Sequence, residues 1–254
     1  MERILCQHLT IGYDKRVVQR DLTFFLQQGE MVCMLGRNGC GKSTLLRTLA
    51  GLQPALGGQI SGYHPFADTA LVLSAADTIE RTTVHDVVAM GRYPYTSVLG
   101  GLSDADERAI RKAVVWTLGE TYSDTPADTC VPVAAPSPLD VFLQSDFAAH
   151  SDGEKQRVLI AKALAQETPI ILLDEPTAHL DLPNRIRVLQ LLRTLAHEQH
   201  KTVLISTHEL DLALRTSDRI LLMTPQAGVQ VDTPDHLRAT DAFTTAFGMD
   251  IFRY

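Results

Sequence analysis

Short apolar runs alternate along the chain with amphipathic segments, and this alternation predicts buried strands separated by helices. A run of about four to eight apolar residues is typical of a strand that is covered on both faces. The predicted strands are Arg3–Leu9, Thr23–Leu26, Met31–Leu35, Thr69–Leu73, Pro169–Leu173, Thr202–Ser206 and Arg219–Met223. Helical periodicity predicts helices over Ser43–Ala50, Val84–Gly91, Asp104–Leu118, Asp152–Gln166, Asn184–His197 and Glu209–Arg215. This order indicates an α/β fold with a mainly parallel sheet covered by helices.

Two segments carry turn or loop signals instead. The stretch Gly57–Gly62 is predicted to be a turn, since glycine is frequent where the backbone turns. Residues 119–149 contain four prolines among Thr, Ala and Asp, and we predict a loop there. The predicted helix Asp104–Leu118 places Ile110, Ala113 and Val114 on one face, and we expect this face to pack against a core.

Charge and composition narrow the possible partners. The 254 residues carry a formal net charge of −7, and no block of Lys and Arg stands out. Because neutralising nucleic-acid phosphates requires clustered cations, we expect no nucleic-acid partner. The chain shows no N-terminal signal pattern and no apolar run long enough to span a bilayer, so we expect a cytoplasmic location. Its four cysteines lack the paired spacing of a zinc site or a disulfide framework.

The clearest candidate site is the segment Gly36–Thr44, which reads GRNGCGKST between a predicted strand and a predicted helix. It matches the pattern of a phosphate-binding loop, whereas the alternative interpretation is a chance glycine turn before a helix. Backbone N–H groups and a helix N-terminus surround the phosphates in such a loop. Lys42 supplies a charge for the β- and γ-phosphates, and the Ser43 hydroxyl is a ligand for Mg²⁺. The candidate binding residues are Gly36, Asn38, Gly39, Cys40, Gly41, Lys42, Ser43 and Thr44.

A second candidate lies where the apolar run Ile170–Leu173 ends in Asp174 and Glu175. A carboxylate at the end of a buried strand lies at the sheet edge where α/β folds bind ligands. We expect Asp174 to hold Mg²⁺ opposite Ser43. Successive strand residues point to opposite faces, so Glu175 is predicted to be free to polarise an attacking water.

With these motifs and others in the same order, the chain resembles the nucleotide-binding subunits of ABC transporters along essentially its whole length. Ser151–Gln156 (SDGEKQ) resembles the signature of that family, and Ala178–Asp181 (AHLD) occupies the D-loop position. His208 follows a predicted strand as the switch histidine of the family does, and Tyr13 stands where an aromatic ring stacks on adenine. The segment Gly91–Pro94 (GRYP) resembles the corresponding segment in the ATPases of iron–siderophore, haem and vitamin B12 importers.

The resemblance implies a function for each of these positions. It implies ATP and Mg²⁺ as cofactors, Glu175 as general base, and His208 as the residue that steadies the γ-phosphate and water. It also implies that Ser151, Gly153, Glu154 and Asp181 contribute to nucleotide binding. The expected partners are a second copy of the chain, integral membrane permease subunits and, indirectly, a solute-binding protein. The chain is then expected to be attached to the inner face of the cell membrane by binding to the permease.

The fold that the resemblance implies is one ABC-type ATPase domain over residues 1–254. Residues 1–74 and 151–254 are expected to form a P-loop NTPase core with a mainly parallel sheet and an N-terminal antiparallel β subdomain. Residues 75–150 are expected to form a small helical subdomain. The sequence departs from the family pattern at Ser74, which replaces the Q-loop glutamine, and at His150 and Asp152, which replace a leucine and a glycine of the signature.

Other functions fit the same motifs less well. A non-transport ABC ATPase of DNA repair or translation would carry a long coiled-coil insertion or a second cassette, and neither is found in the sequence. A weakly active module that senses ATP remains open because of Ser74 and His150. A GTPase is not supported, since the chain lacks N-K-x-D for guanine. Tyr93 and Tyr95 are predicted either as permease contacts or as part of a local core.

Overall fold

The computed structural model describes residues 2–14, 16–73, 81–96, 101–118, 136–224 and 228–248. The described residues fall into two compact units. Unit 1 lies within Met1–Ser74 and Pro169–Tyr254, and unit 2 lies within Ala75–Thr168. None of the helices in the described ranges is both long and apolar enough to cross a lipid bilayer.

Unit 1 contains an antiparallel sheet and a mainly parallel one. The strands are β1 (Glu2–Tyr13), β2 (Arg16–Gln27), β3 (Met31–Leu35), β4 (Gly57–Ser61), β5 (Thr69–Val72), β6 (Ile170–Asp174), β7 (Thr202–Ser206), β8 (Arg219–Thr224) and β9 (Gly228–Asp232). The antiparallel sheet has the order β2-β1-β4, and the second has the order β5-β6-β7-β3-β8-β9. Every pair in the second sheet is parallel except β8 with β9. Both the predicted α/β class and the antiparallel N-terminal strands are therefore confirmed.

The helices of unit 1 connect these strands. They are α1 (Lys42–Leu49), α2 (Pro65–Asp68), α7 (Leu182–Glu198), α8 (Leu210–Thr216), α9 (Pro234–Arg238) and α10 (Ala242–Phe247). A continuous core joins the inner faces of both sheets to α1, with buried members such as Ile4, Leu9, Leu46, Leu172 and Leu204. Strands β3, β6 and β7 of the second sheet are entirely buried, which explains their largely apolar runs.

Unit 2 is built from helices. They are α3 (Val84–Ala89), α4 (Asp104–Leu118), α5 (Pro138–Leu143) and α6 (Asp152–Ala165), with 3₁₀ turns at Met90–Tyr95 and Phe147–Ala149. Helix α4 packs against α6, and its residues Ile110, Ala113 and Val114 are buried as predicted. Because α6 packs on α3 and α4, residues 152–165 belong to unit 2, whereas the sequence-based boundary placed residues 151–254 in the core.

Two local predictions were wrong. Residues 57–62 are not a simple turn, because residues 57–61 form β4, which pairs with β1 through Thr10 and Gly57. Glycine has no side chain to show an alternating pattern, so only the pairing with β1 defines this strand. Within the predicted loop 119–149, α5 begins after Ser137, whose hydroxyl and the carboxylate of Asp140 form a capping box. Residues 119–135 lie outside the described ranges.

Unit 2 contains a buried ion pair that ties α4 to the 3₁₀ turn before it. The Arg92 guanidinium Nε lies 2.8 Å from Asp106 Oδ1, and Arg92 Nη1 also donates to the carbonyl of Ala165 at 2.7 Å. The hydroxyl and the backbone N–H of Ser103, together with Arg92, lower the pKa of Asp106 from 3.8 to about 2. Asp106 therefore stabilises the folded state in its ionised form.

The ion pair predicts a defined pH window for stability. Because the pKa of Asp106 is lower in the folded chain, its contribution is complete above pH 3.8 and is lost as the pH falls toward about 2. We expect Asp106→Asn to lower the melting temperature at neutral pH and the difference from the parent to shrink across that window. Calorimetry over a pH series measures this, with Asp104→Asn on the exposed side of α4 as the matched control. An equal difference at all pH values would contradict the assignment.

Candidate nucleotide site

The glycine-rich loop runs from the end of β3 to the start of α1 as the sequence predicts. Gly41 precedes α1 with φ of 105°, a conformation that L side chains rarely adopt, and a Cβ there would lie 2.8 Å from Val18 Cγ1. At Gly36 a Cβ would lie 2.8 Å from the carbonyl oxygen of Met223. Both positions therefore require glycine, the first for its backbone and the second because β8 approaches closely.

The side chains of the loop and of β2 hold this backbone in place. Lys42 is buried, and its Nζ donates to the carbonyl oxygen of Gly36 at 3.0 Å. The amide Nε2 of Gln19 donates to the carbonyl oxygens of Cys40 and Thr224 at 3.0 and 3.1 Å. Burial raises the pKa of the Cys40 thiol, so Cys40 fits a small packed side chain better than a reactive thiolate.

Tyr13 is the last residue of β1 and has an exposed ring beside the loop. The residue is 44% exposed to solvent. Its hydroxyl accepts hydrogen bonds from Thr44 Oγ1 at 3.3 Å and Arg47 Nη1 at 3.5 Å. These contacts engage only the hydroxyl, and the residue remains exposed. An open aromatic face is what stacking on a purine base requires.

The acidic end of β6 places its two carboxylates in different surroundings. Asp174 is buried, and its Oδ1 accepts a hydrogen bond from Ser206 Oγ at 2.5 Å. Glu175 lies beyond the strand with φ of 50°, and its N–H donates to the carbonyl oxygen and the hydroxyl of Ser206 at 3.1 and 2.9 Å. Its Oε1 is 2.6 Å from Nε2 of His208. Glu175 therefore has a left-handed backbone conformation held by Ser206 and does not continue the extended backbone of β6.

These elements of unit 1 surround a cleft of about 590 Å³. The residues that line it are Tyr13, Arg16, Val18, Asn38, Gly39, Gly41, Lys42, Ser43, Thr44, Glu175 and His208. Sequence reasoning identified all of these except Arg16 and Val18. Arg16 could have been found as a cation following the turn after Tyr13, whereas the position of Val18 depends on β2 folding over the loop. Gly36, Cys40 and Asp174 are not among the residues that line the cleft.

The oxygen atoms near the loop fit a magnesium ion. Ser43 lines the cleft, and Asp174 ends β6, against which α1 packs. Hydroxyl and carboxylate oxygens are ligands that Mg²⁺ prefers, with phosphate oxygens supplying further positions. Among the residues that the structure describes, no group of three or more His, Cys, Asp and Glu side chains could hold a metal ion. The donor set thus fits a nucleotide-bound Mg²⁺ and not a cage made by the protein alone.

The signature-like residues lie in unit 2, at the start of α6. Ser151 is the N-cap, and its hydroxyl donates to Oε2 of Glu154 at 2.7 Å. This hydrogen bond lowers the pKa of Glu154. Gly153 is buried in the first turn of the helix. The structure therefore places Ser151, Gly153 and Glu154 together, in a different unit from the cleft.

His150, which replaces the usual leucine of the signature, packs against neighbouring side chains of unit 2. Its Nε2 lies 2.6 Å from Ser145 Oγ, and its ring centroid is 4.8 Å from that of Phe142. Its Nδ1 lies 3.6 Å from Glu154 Oε2. Histidine at this position thus combines an aromatic contact with polar contacts that leucine could not make.

The remaining residues singled out from the sequence are not among those that line the cleft. Asp181 is the N-cap of α7, where its carboxylate accepts the N–H of Asn184 at 3.1 Å. The Tyr95 hydroxyl donates to the carbonyl oxygen of Gln166 at 2.7 Å, and its ring lies 4.1 Å from the guanidinium carbon of Arg92. Tyr93 is exposed. Ser74 lies outside the described residues.

Comparison with known proteins gives a consistent assignment. The model of the ABC transporter family matches residues 19–178. The chain is 32% identical to the iron(3+)-hydroxamate import ATP-binding protein FhuC of Bacillus subtilis, over 98% of the chain and 89% of that protein. It has the same identity to the achromobactin transport ATP-binding protein CbrD of Dickeya dadantii, with the same shares covered. It is 34% identical to the cobalamin import ATP-binding protein BtuD of Halobacterium salinarum, over 91% of the chain and 56% of that protein.

Solved structures agree with this result. A metal-chelate type ABC transporter in an inward-facing conformation superposes with a TM-score of 0.81 and 28% identity, covering 98% of the chain and 90% of its counterpart. The ATP-binding subunit of another ABC transporter superposes with a TM-score of 0.71 and 26% identity, covering 96% and 94%. The phosphate-binding loop, the acidic end of β6 and the matched length point the same way, and the chain therefore belongs to the ABC transporter family, among its ATP-binding proteins.

Proposed function

We propose that this protein is an ATPase that powers a membrane importer, with the reaction ATP + H₂O → ADP + phosphate. The observation that carries the proposal is the cleft of unit 1, where the glycine-rich loop, Glu175 and His208 face the same space. Phosphoryl transfer needs positioning and charge stabilisation more than covalent catalysis. The residues around the cleft supply both.

The loop binds the phosphates in this proposal. The backbone N–H groups of residues 39–44 and the N-terminus of α1 attract the phosphate oxygens. Lys42 Nζ, which donates to the carbonyl of Gly36, is available to donate to the β- and γ-phosphates instead. Tyr13 offers its open ring face to adenine, and Arg16 adds a cation to the same rim.

Ser43 and Asp174 would hold Mg²⁺ in the proposed complex. The ion supplies charge neutralisation for the β- and γ-phosphate oxygens. Ser206 holds the Asp174 carboxylate through the hydrogen bond that its hydroxyl donates to Oδ1. The same residue orients the backbone of Glu175.

Glu175 acts as the general base and His208 as its partner. The Glu175 carboxylate is partly exposed in the cleft, so it can accept a proton from an attacking water. His208 Nε2 contacts this carboxylate, so each side chain holds the other in the cleft, where His208 would steady the γ-phosphate and water. A proton taken from water thus resides on Glu175, within reach of His208.

The family resemblance supports the rest of the assembly. Two copies of the chain form a homodimer in which Ser151, Gly153, Glu154 and Asp181 of one copy complete the nucleotide site of the other. Tyr93, exposed on the surface of unit 2, contacts the permease. The complex lies on the inner face of the membrane and receives its substrate from a solute-binding protein. The names of the relatives support an iron–siderophore or cobalamin cargo.

Two measurements test the proposal. Calorimetry on the purified chain is expected to detect binding of Mg·ATP, and absence of binding would contradict the whole assignment. A steady-state ATPase assay with the reconstituted permease is expected to show turnover that depends on the permease. Binding without turnover would instead favour an ATP-sensing module.

A further inference from the structure

Glu209, the neighbour of His208, connects two segments of unit 1 that are distant in sequence. Its Oε1 accepts a hydrogen bond from Thr177 Oγ1 at 3.0 Å, and its Oε2 lies 3.2 Å from Arg185 Nη1. Its own backbone N–H donates to Thr207 Oγ1 at 3.1 Å. Both carboxylate oxygens are therefore engaged while the backbone is held in the loop that carries His208.

Arg185 completes the connection from the other side. Its Nε donates to the carbonyl oxygen of Leu180 at 2.6 Å, while Nη1 contacts Glu209. Its backbone N–H donates to the carbonyl of Asp181 in the first turn of α7 at 2.9 Å. A planar guanidinium can make two such contacts in fixed directions, whereas the single ammonium of lysine cannot.

Together these contacts tie the His208 loop to residues 177–181, which we call the post-strand segment. This segment begins two residues after Glu175, and the N–H of Ala178 donates to the carbonyl oxygen of Glu175 at 3.1 Å. His208 thus contacts the side chain of Glu175, and the post-strand segment forms a hydrogen bond with its backbone. The Glu209–Arg185 pair joins the same two segments a second time.

We propose that Glu209 and Arg185 are positioning residues, which hold His208 against Glu175 by fixing the His208 loop to the post-strand segment. The inference rests on the proposed ATPase function. Neither side chain lines the cleft, so neither is expected to contact ATP. Their effect acts on the 2.6 Å contact between His208 and Glu175, and small displacements of reacting groups are costly for the rate.

The proposal predicts a change in turnover without a change in binding. In Arg185→Lys and in Glu209→Gln, kcat is expected to fall about tenfold, on the scale of a misplaced catalytic group. The dissociation constant for Mg·ATP, measured by calorimetry, and the melting temperature are expected to stay close to those of the parent. Arg193→Lys, on the exposed side of the same helix α7, is the matched control and should leave all three values unchanged.

A second measurement is independent of ATP hydrolysis. The ring ¹⁵N chemical shifts of His208, in histidine-labelled protein, are expected to move in both variants and to stay unchanged in Arg193→Lys. Unchanged kcat in the two variants, or a parallel loss of ATP affinity and melting temperature, would overturn the positioning role. If the parent itself hydrolyses no ATP, the proposed function fails. Unmoved His208 shifts would then overturn the positioning role separately.

Discussion

Glu175→Gln is expected to leave Mg·ATP binding intact and to lower ATP turnover by about a hundredfold or more, the scale of a lost general base. Glutamine has nearly the same shape as glutamate, and its carbonyl can still accept from His208. It cannot take the proton of an attacking water, however. The backbone at this position is held by Ser206 through the N–H of residue 175, so the substitution should not disturb the end of β6.

Calorimetry of Mg·ATP and steady-state kinetics separate these two effects. Glu198→Gln, at the exposed end of α7, is the matched control for the chemical change. We expect the control to bind and hydrolyse ATP like the parent. If Glu175→Gln also hydrolyses ATP at the parental rate, another group is the base.

Lys42→Ala is expected to weaken the binding of Mg·ATP by about ten- to a hundredfold, because a charge-assisted hydrogen bond contributes about 1.5–3 kcal/mol. The ammonium is the one group within the glycine-rich loop that carries a full positive charge on a buried side chain. Its loss removes a cation from the expected position of the β- and γ-phosphates, while the backbone N–H groups of the loop remain.

The affinity of Lys42→Ala is measured by the same calorimetry, with ADP as a second ligand. Lys112→Ala on α4 provides the control, since it removes the same charge from unit 2. An unchanged dissociation constant in Lys42→Ala would mean that the phosphates do not bind at the loop. A comparable loss in the control would indicate that net charge, and not the loop, determines affinity.

Local sequence signals predicted much of the fold because many elements are defined by their own periodicity. The bounds of β3, β7 and α4 agree with the prediction to the residue. These are the cases where an unbroken apolar run or a regular apolar face is bounded by polar residues. The ends of α1, α6 and α7 differ from the prediction by only a few residues.

Elements without such periodicity depended on contacts with distant residues. Strand β4 consists partly of glycine and exists because β1 pairs with it. The antiparallel strand β9 follows β8 and was not predicted, since its alternating residues are all partly or fully exposed. Helix α5 lies in a proline-rich stretch, where Pro138 occupies the first turn after the Ser137 cap.

Sequence alone determined the α/β class, the family resemblance and most of the residues that line the candidate cleft, because a phosphate-binding loop and a strand ending in carboxylates are contiguous motifs. Only the tertiary structure decided that Arg16 and Val18 complete the cleft and that Ser206 holds Glu175 in a left-handed backbone conformation. It also decided that Glu209 meets Arg185. Each of these contacts joins residues that are far apart in the chain, and their positions follow from sheet pairing and loop conformation, which no local pattern of side chains encodes.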